Sequence, residues 1–155
     1  MKQKGFTLVE LMTVIALMAV LSTIAVPNLV GVLPRQRLGG SAREVLSVLH
    51  FAKMAAIKEN ANVVVNFNPG GSDCLVFVDD GEGGATAEDA LRSGGERILK
   101  RYAMPPGVNL LAPTFGNVLS FNSRGFADSS GNVTVQNPSG SRSIQVLPSG
   151  HCRIL

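Results

Sequence analysis

The apolar run that opens the chain constrains its fold more than anything downstream. Residues 6–26, FTLVELMTVIALMAVLSTIAV, carry one ionisable side chain, Glu10, and a few hydroxyls. As a helix, those 21 residues would extend roughly 31 Å, which matches a bilayer hydrocarbon core of about 30 Å. No lysine, arginine or aspartate occurs between Thr7 and Pro34. Lys2 and Lys4 precede the run and fall on the cytoplasmic side by the positive-inside rule. An ordinary secretory signal has a shorter apolar stretch, with its small-residue cleavage site after it. Here the stretch is longer, the small residue Gly5 stands before it, and a glutamate lies inside it. A membrane-spanning helix is therefore expected over residues 6–34.

Glu10 is the informative exception. On insertion scales a charge at the centre of a membrane helix costs roughly 2.5–3.5 kcal/mol, so an ionisable residue in such a segment points to function by default. Its place near the cytoplasmic end lowers that cost, yet it still calls for a partner. A freed amine on Phe6 of a neighbouring subunit would serve; the plain alternative is a carboxylate that reaches back to the interface. Pro27 removes one helix hydrogen bond, which either kinks the helix or ends the membrane span. Gly31 and Pro34 add two further weak points.

The string KGFTLVEL at 4–11 resembles the leader of type IV prepilins and type II secretion pseudopilins. The resemblance implies that a prepilin peptidase cleaves between Gly5 and Phe6, removing residues 1–5, and that the new N-terminal Phe6 is methylated. It assigns Glu10 the recognition of a neighbouring subunit's N-terminus during assembly. It also pairs Pro27 with a helix break and a locally melted segment. The implied partners are other pilins or pseudopilins, the peptidase and the inner membrane. The implied location is a single-pass anchor with a periplasmic C-terminal domain, later drawn into a pilus or pseudopilus.

Beyond the span, residues 35–60 form a second helical half. Val45, Leu46, Leu49, Ala52 and Ala56 recur at helical spacing, and Arg43, Glu44, Lys53, Lys58 and Glu59 fall largely on other faces. Ser41 with Glu44 three residues on has the pattern of a capping box. After Asn60 the pattern shifts to short β-type runs between glycine, proline and asparagine, at 62–68, 74–79, 97–102, 108–111, 118–122, 133–136, 143–147 and 152–155. The fold class is α+β: a long N-terminal helix packed on an antiparallel β domain over 61–155. That order resembles the pilin fold. CLVFVDDGEG at 74–83, GERIL at 95–99, SFNSRGFA at 120–127, RSIQV at 142–146 and GHCR at 150–153 are similar to the GspH/FimT group of minor pilins and pseudopilins. That likeness implies a minor structural subunit that starts or caps a filament.

Composition narrows the alternatives. Two of the 14 lysines and arginines lie in the leader, which leaves 12 against 11 acidic residues, so a mature chain is nearly neutral. That gives little support to nucleic-acid binding. A DNA-capturing minor pilin is nonetheless the second functional reading. It requires Arg124, Arg142 and Arg153 to converge, and related DNA-binding members carry a Gly-Arg-x-Arg tail where this chain has Gly150-His151-Cys152-Arg153. No nucleophile–base–acid set is apparent, so no enzyme activity is expected. No cofactor or metal is expected either. His50 and His151 are far apart in sequence, and the acidic turn Asp79-Asp80-Gly81-Glu82 departs from EF-hand spacing. Cys74 and Cys152 would lie in an oxidising compartment, where a bond between them is the expectation and two buried thiols the alternative.

Overall fold

The computed structural model describes residues 6–80 and 95–155, with residues 26–30 described by backbone alone. Among these described residues, one helix, α1, runs over Leu8–Glu59. Eight strands follow among them: β1 Asn62–Asn68, β2 Asp73–Asp79, β3 Ile98–Ala103, β4 Asn109–Leu110, β5 Val118–Phe121, β6 Gly131–Asn137, β7 Gly140–Val146 and β8 Cys152–Ile154. They form two antiparallel four-stranded sheets, ordered β3-β2-β1-β5 and β4-β6-β7-β8. The α+β class and the eight strands agree with the sequence pattern, each strand within two or three residues.

The helix starts where Thr7 stays extended and its side-chain oxygen accepts from the backbone N–H of Glu10 at 3.3 Å. It stops at Asn60, whose φ of 51° is left-handed, a conformation asparagine tolerates better than most residues. Between these points the expected break at Pro27 does not occur: α1 continues through Pro27, Gly31 and Pro34. A proline removes one N–H, and the turns on either side keep their own hydrogen bonds. Ser41 does not cap a helix either. It is buried in mid-helix, and its hydroxyl donates to the Arg37 carbonyl at 2.8 Å. The chain is already helical when it reaches Ser41, so there is no free N–H for it to cap. Glu44 instead pairs with Lys100 of β3 at 3.2 Å.

Both sheets close on one stripe of α1. Leu38, Ala42, Val45, Val48, Leu49, Ala52 and Ala56 are buried on that stripe, against Val63, Val65, Phe67, Val76 and Val78 of one sheet and Val133, Val135, Ile144 and Val146 of the other. The three alanines let the strands approach the helix axis closely. Val64 and Phe77 are directly opposed on the other face of the first sheet, and both are fully buried. The centre of that sheet is therefore covered on both faces, and Val63-Val64-Val65 is an unbroken apolar run, not an alternating one.

Candidate functional site

Every side chain of Leu8–Ala25 is exposed, a segment long and apolar enough to cross a membrane. Its hydroxyls do not spoil it for lipid. Thr13 donates to the Glu10 carbonyl at 2.8 Å, Ser22 to that of Met18 at 2.7 Å, and Thr23 to that of Val20 at 2.6 Å. Each hydroxyl hydrogen is thus bound within the helix, as a hydrocarbon environment requires. Phe6 is 84% exposed just ahead of the helix, and Glu10 lies in its first turn. The Glu10 carboxylate has no hydrogen-bond or ion-pair partner among the described residues. Gly5, the other half of the expected cleavage site, lies outside the described residues.

Besides the Glu44–Lys100 pair, the globular part grips α1 at three further levels. Near Pro34, Asn137 donates from Nδ2 to the Pro34 carbonyl at 2.6 Å, and Arg37 donates to Pro106 O at 3.3 Å. In the middle, Lys53 Nζ donates to the carbonyls of Ser149 and Gly150 at 3.3 and 3.1 Å. At the far end, Arg97 pairs with Glu59 at 2.7 Å. Lys53 and Asn137 were not singled out by sequence reasoning, since each acts across about a hundred residues. The one local signal lies in the glycines. Gly125 and Gly150 both have positive φ, and a Cβ on Gly150 would run into the Gly125 carbonyl. Those two turns can stack beside Lys53 only as glycines.

The two cysteines are buried and free, so the expected Cys74–Cys152 bond is not formed. Cys74 is in β2 and Cys152 in β8, strands of different sheets. Burial pushes the Cys74 thiol up to about 12, with neighbouring Asp73 adding to the rise. Burial pushes Cys152 up to about 11, against the opposing pull of Lys53.

The three arginines proposed for DNA do not converge. Arg142 stands opposite Val135, on the helix-facing side of its sheet, where it emerges to solvent. Arg153 is on the reverse face, donating from Nε to Gln145 Oε1 at 2.9 Å. Arg124 sits in the turn after β5, beyond the middle of α1. With no shared basic patch among them, the structure does not support the DNA-binding reading. His50 and His151 are both exposed. Residues 81–84 of the acidic turn lie outside the described residues, and no group of three or more His, Cys, Asp or Glu able to hold a metal occurs among the described ones.

Residues 41–150 match the family described as Type II transport protein GspH. Residues 1–26 match the Prokaryotic N-terminal methylation motif. The type IV minor pilin FimU of Pseudomonas aeruginosa superposes with a TM-score of 0.60 at 14% identity, over 79% of this chain and 90% of that one. The minor pseudopilin EpsH from the Type 2 Secretion System of Vibrio cholerae gives a TM-score of 0.56 at 14% identity, over 77% of this chain and 96% of that one. At these identities the likeness is one of fold. No curated protein matches the chain.

Proposed function

Because the chain belongs to the GspH family and is a minor pilin or pseudopilin, we propose that it is matured at Gly5–Phe6 and built into a filament through the pair Phe6 and Glu10. A prepilin peptidase removes residues 1–5 and methylates the new amine of Phe6. The apolar half of α1 holds the subunit in the inner membrane with its β domain on the periplasmic side. The Glu10 carboxylate then takes the Phe6 amine of a neighbouring subunit, and the subunit helps to start or cap the assembly. Its role is structural; it is an enzyme's substrate and not a catalyst.

One observation carries this reading. A single carboxylate, unpartnered among the described residues, lies one helical turn from Phe6 on a helix segment that buries none of its side chains. A charge in lipid is stable only with a counter-charge, and a neighbour's N-terminus supplies one of the right sign. Mass spectrometry of protein extracted from membranes containing active peptidase tests the first step. The expected product lacks residues 1–5 and carries one added methyl group. Replacement Gly5→Leu should leave the chain uncut. An intact N-terminus in the parent protein would refute the proposal.

A further inference from the structure

The membrane-proximal end of the β domain carries positive charge that the fold itself leaves unused. The β6–β7 hairpin reaches α1 at Pro34 through Asn137, and the loop after β3 reaches it at Arg37 through Pro106. Pro34, Arg37, Pro106, Gly107, Asn137 and Pro138 enclose a small cavity there. Three exposed arginines surround this junction: Arg35 and Arg37 on α1, and Arg142 two residues past the hairpin turn. None forms an ion pair among the described residues. The acids on this side, Glu44 and Asp73, are paired with Lys100 at 3.2 Å and Arg101 at 3.7 Å. Arg37 gives one hydrogen bond to Pro106 out of the five N–H donors of a guanidinium.

The height of these arginines above the membrane follows from helix geometry. If Glu10 marks the inner edge of the hydrocarbon, the next 20 residues, none of them charged, span about 30 Å. Arg35 then lies roughly 7 Å beyond the outer edge, inside the headgroup layer. Arg37 lies one half-turn higher, and the hairpin bearing Arg142 is tied to the same level through Pro34. Charge sign, exposure and height all match a layer of phosphates.

We propose that Arg35, Arg37 and Arg142 form a basic collar that holds anionic phospholipid headgroups of the leaflet from which α1 emerges. The collar sets the depth of the subunit and stands its β domain upright on the membrane before assembly. This rests on α1 spanning the bilayer. Basic residues near an anionic surface each strengthen binding by about fivefold.

The test uses the full chain in nanodiscs of equal phosphatidylglycerol and phosphatidylcholine, with native mass spectrometry counting the lipids retained on release. The parent protein should retain phosphatidylglycerol at least about threefold over phosphatidylcholine. Arg35→Gln/Arg37→Gln/Arg142→Gln should lose the preference. Arg35→Gln/Arg142→Gln, which keeps the Arg37–Pro106 contact, should lose most of it. Arg124→Gln/Arg153→Gln should keep it. An equal preference in parent and triple variant would overturn the collar. Duplex DNA bound by the parent and lost in the triple variant, without lipid preference, would overturn it in favour of nucleic acid. A chain that alkaline carbonate washes from the discs would show instead that α1 does not span, and the collar would fall with that reading.

Discussion

The two halves of α1 share one backbone and have opposite surroundings. In Leu8–Ala25 no side chain is buried, and the apolar residues face every direction. From Leu38 to Ala56 most apolar residues occupy one buried stripe, while Phe51 and Met54 are exposed off it. A helix apolar on all sides needs lipid or other helices around it, and a one-sided helix needs only its own domain. The second half is thus largely covered within the subunit, while the first leaves every side chain to surroundings outside it. On the proposed reading, assembly chemistry and folding energy reside in different parts of one helix.

Substitutions should separate the two. Glu10→Ala is expected to have the largest functional effect: near-complete loss of incorporation into filaments, with membrane insertion kept or improved because a costly charge is gone. Its urea unfolding curve should overlay that of the parent. Full rescue of a deletion strain by Glu10→Ala would remove the pairing role. Leu49→Ala should do the reverse. Leu49 is fully buried between helix and sheets, and its truncation is expected to cost about 2–5 kcal/mol. Leu17→Ala, in the same helix but 65% exposed, should stay within about 0.5 kcal/mol in detergent. Equal losses at the two leucines would mean that the halves are not energetically distinct.

A smaller effect concerns how the second half is held. Lys53→Met keeps the aliphatic stem but removes two hydrogen bonds, both to the turn at Ser149 and Gly150. Lys53 is partly exposed, so solvent offsets part of the loss, and about 1 kcal/mol is expected. Hydrogen exchange should then rise at residues 149–152 more than at β1. Unchanged exchange there would show that the glycine turns are held by packing alone.

What could be seen in the sequence follows the same division. The apolar run, Glu10 and the one-sided stripe are local patterns, and periodicity alone gives the helix halves and the strands. The errors arose where a local signal met tertiary structure. Pro27 is a helix breaker by its own chemistry, but one missing N–H does not interrupt 52 residues of helix. Ser41 with Glu44 has the spacing of a cap, but the helix arrives from upstream and Glu44 is drawn to Lys100. Lys53 and Asn137 were invisible because their partners are backbone carbonyls, which no sequence pattern marks. The cysteines were misjudged for a related reason. Compartment argues for a bond, and only the fold shows both thiols buried and free.

The cysteines also give the smallest prediction, one that is silent at neutral pH. Both thiols are neutral in the folded state, with values raised from 9.0 to about 12 and about 11. A group whose folded pKa lies above its unfolded value contributes stability that is fully present below the unfolded value. That contribution is lost as pH rises through the folded one. Stability owed to the thiols should therefore be flat below pH about 9 and fall between about 9 and 12, by a few kcal/mol at most. Lys53 is among the groups acting on Cys152. The useful quantity is thus the difference between the parent and Cys74→Ala/Cys152→Ala, which should shrink as pH climbs. Before that, unfolding without reductant should expose two thiols to alkylation. A parent mass lower by two hydrogens, with neither thiol alkylated, would mean that the sheets can approach closely enough to bond. The two thiols would then not be free in the folded protein.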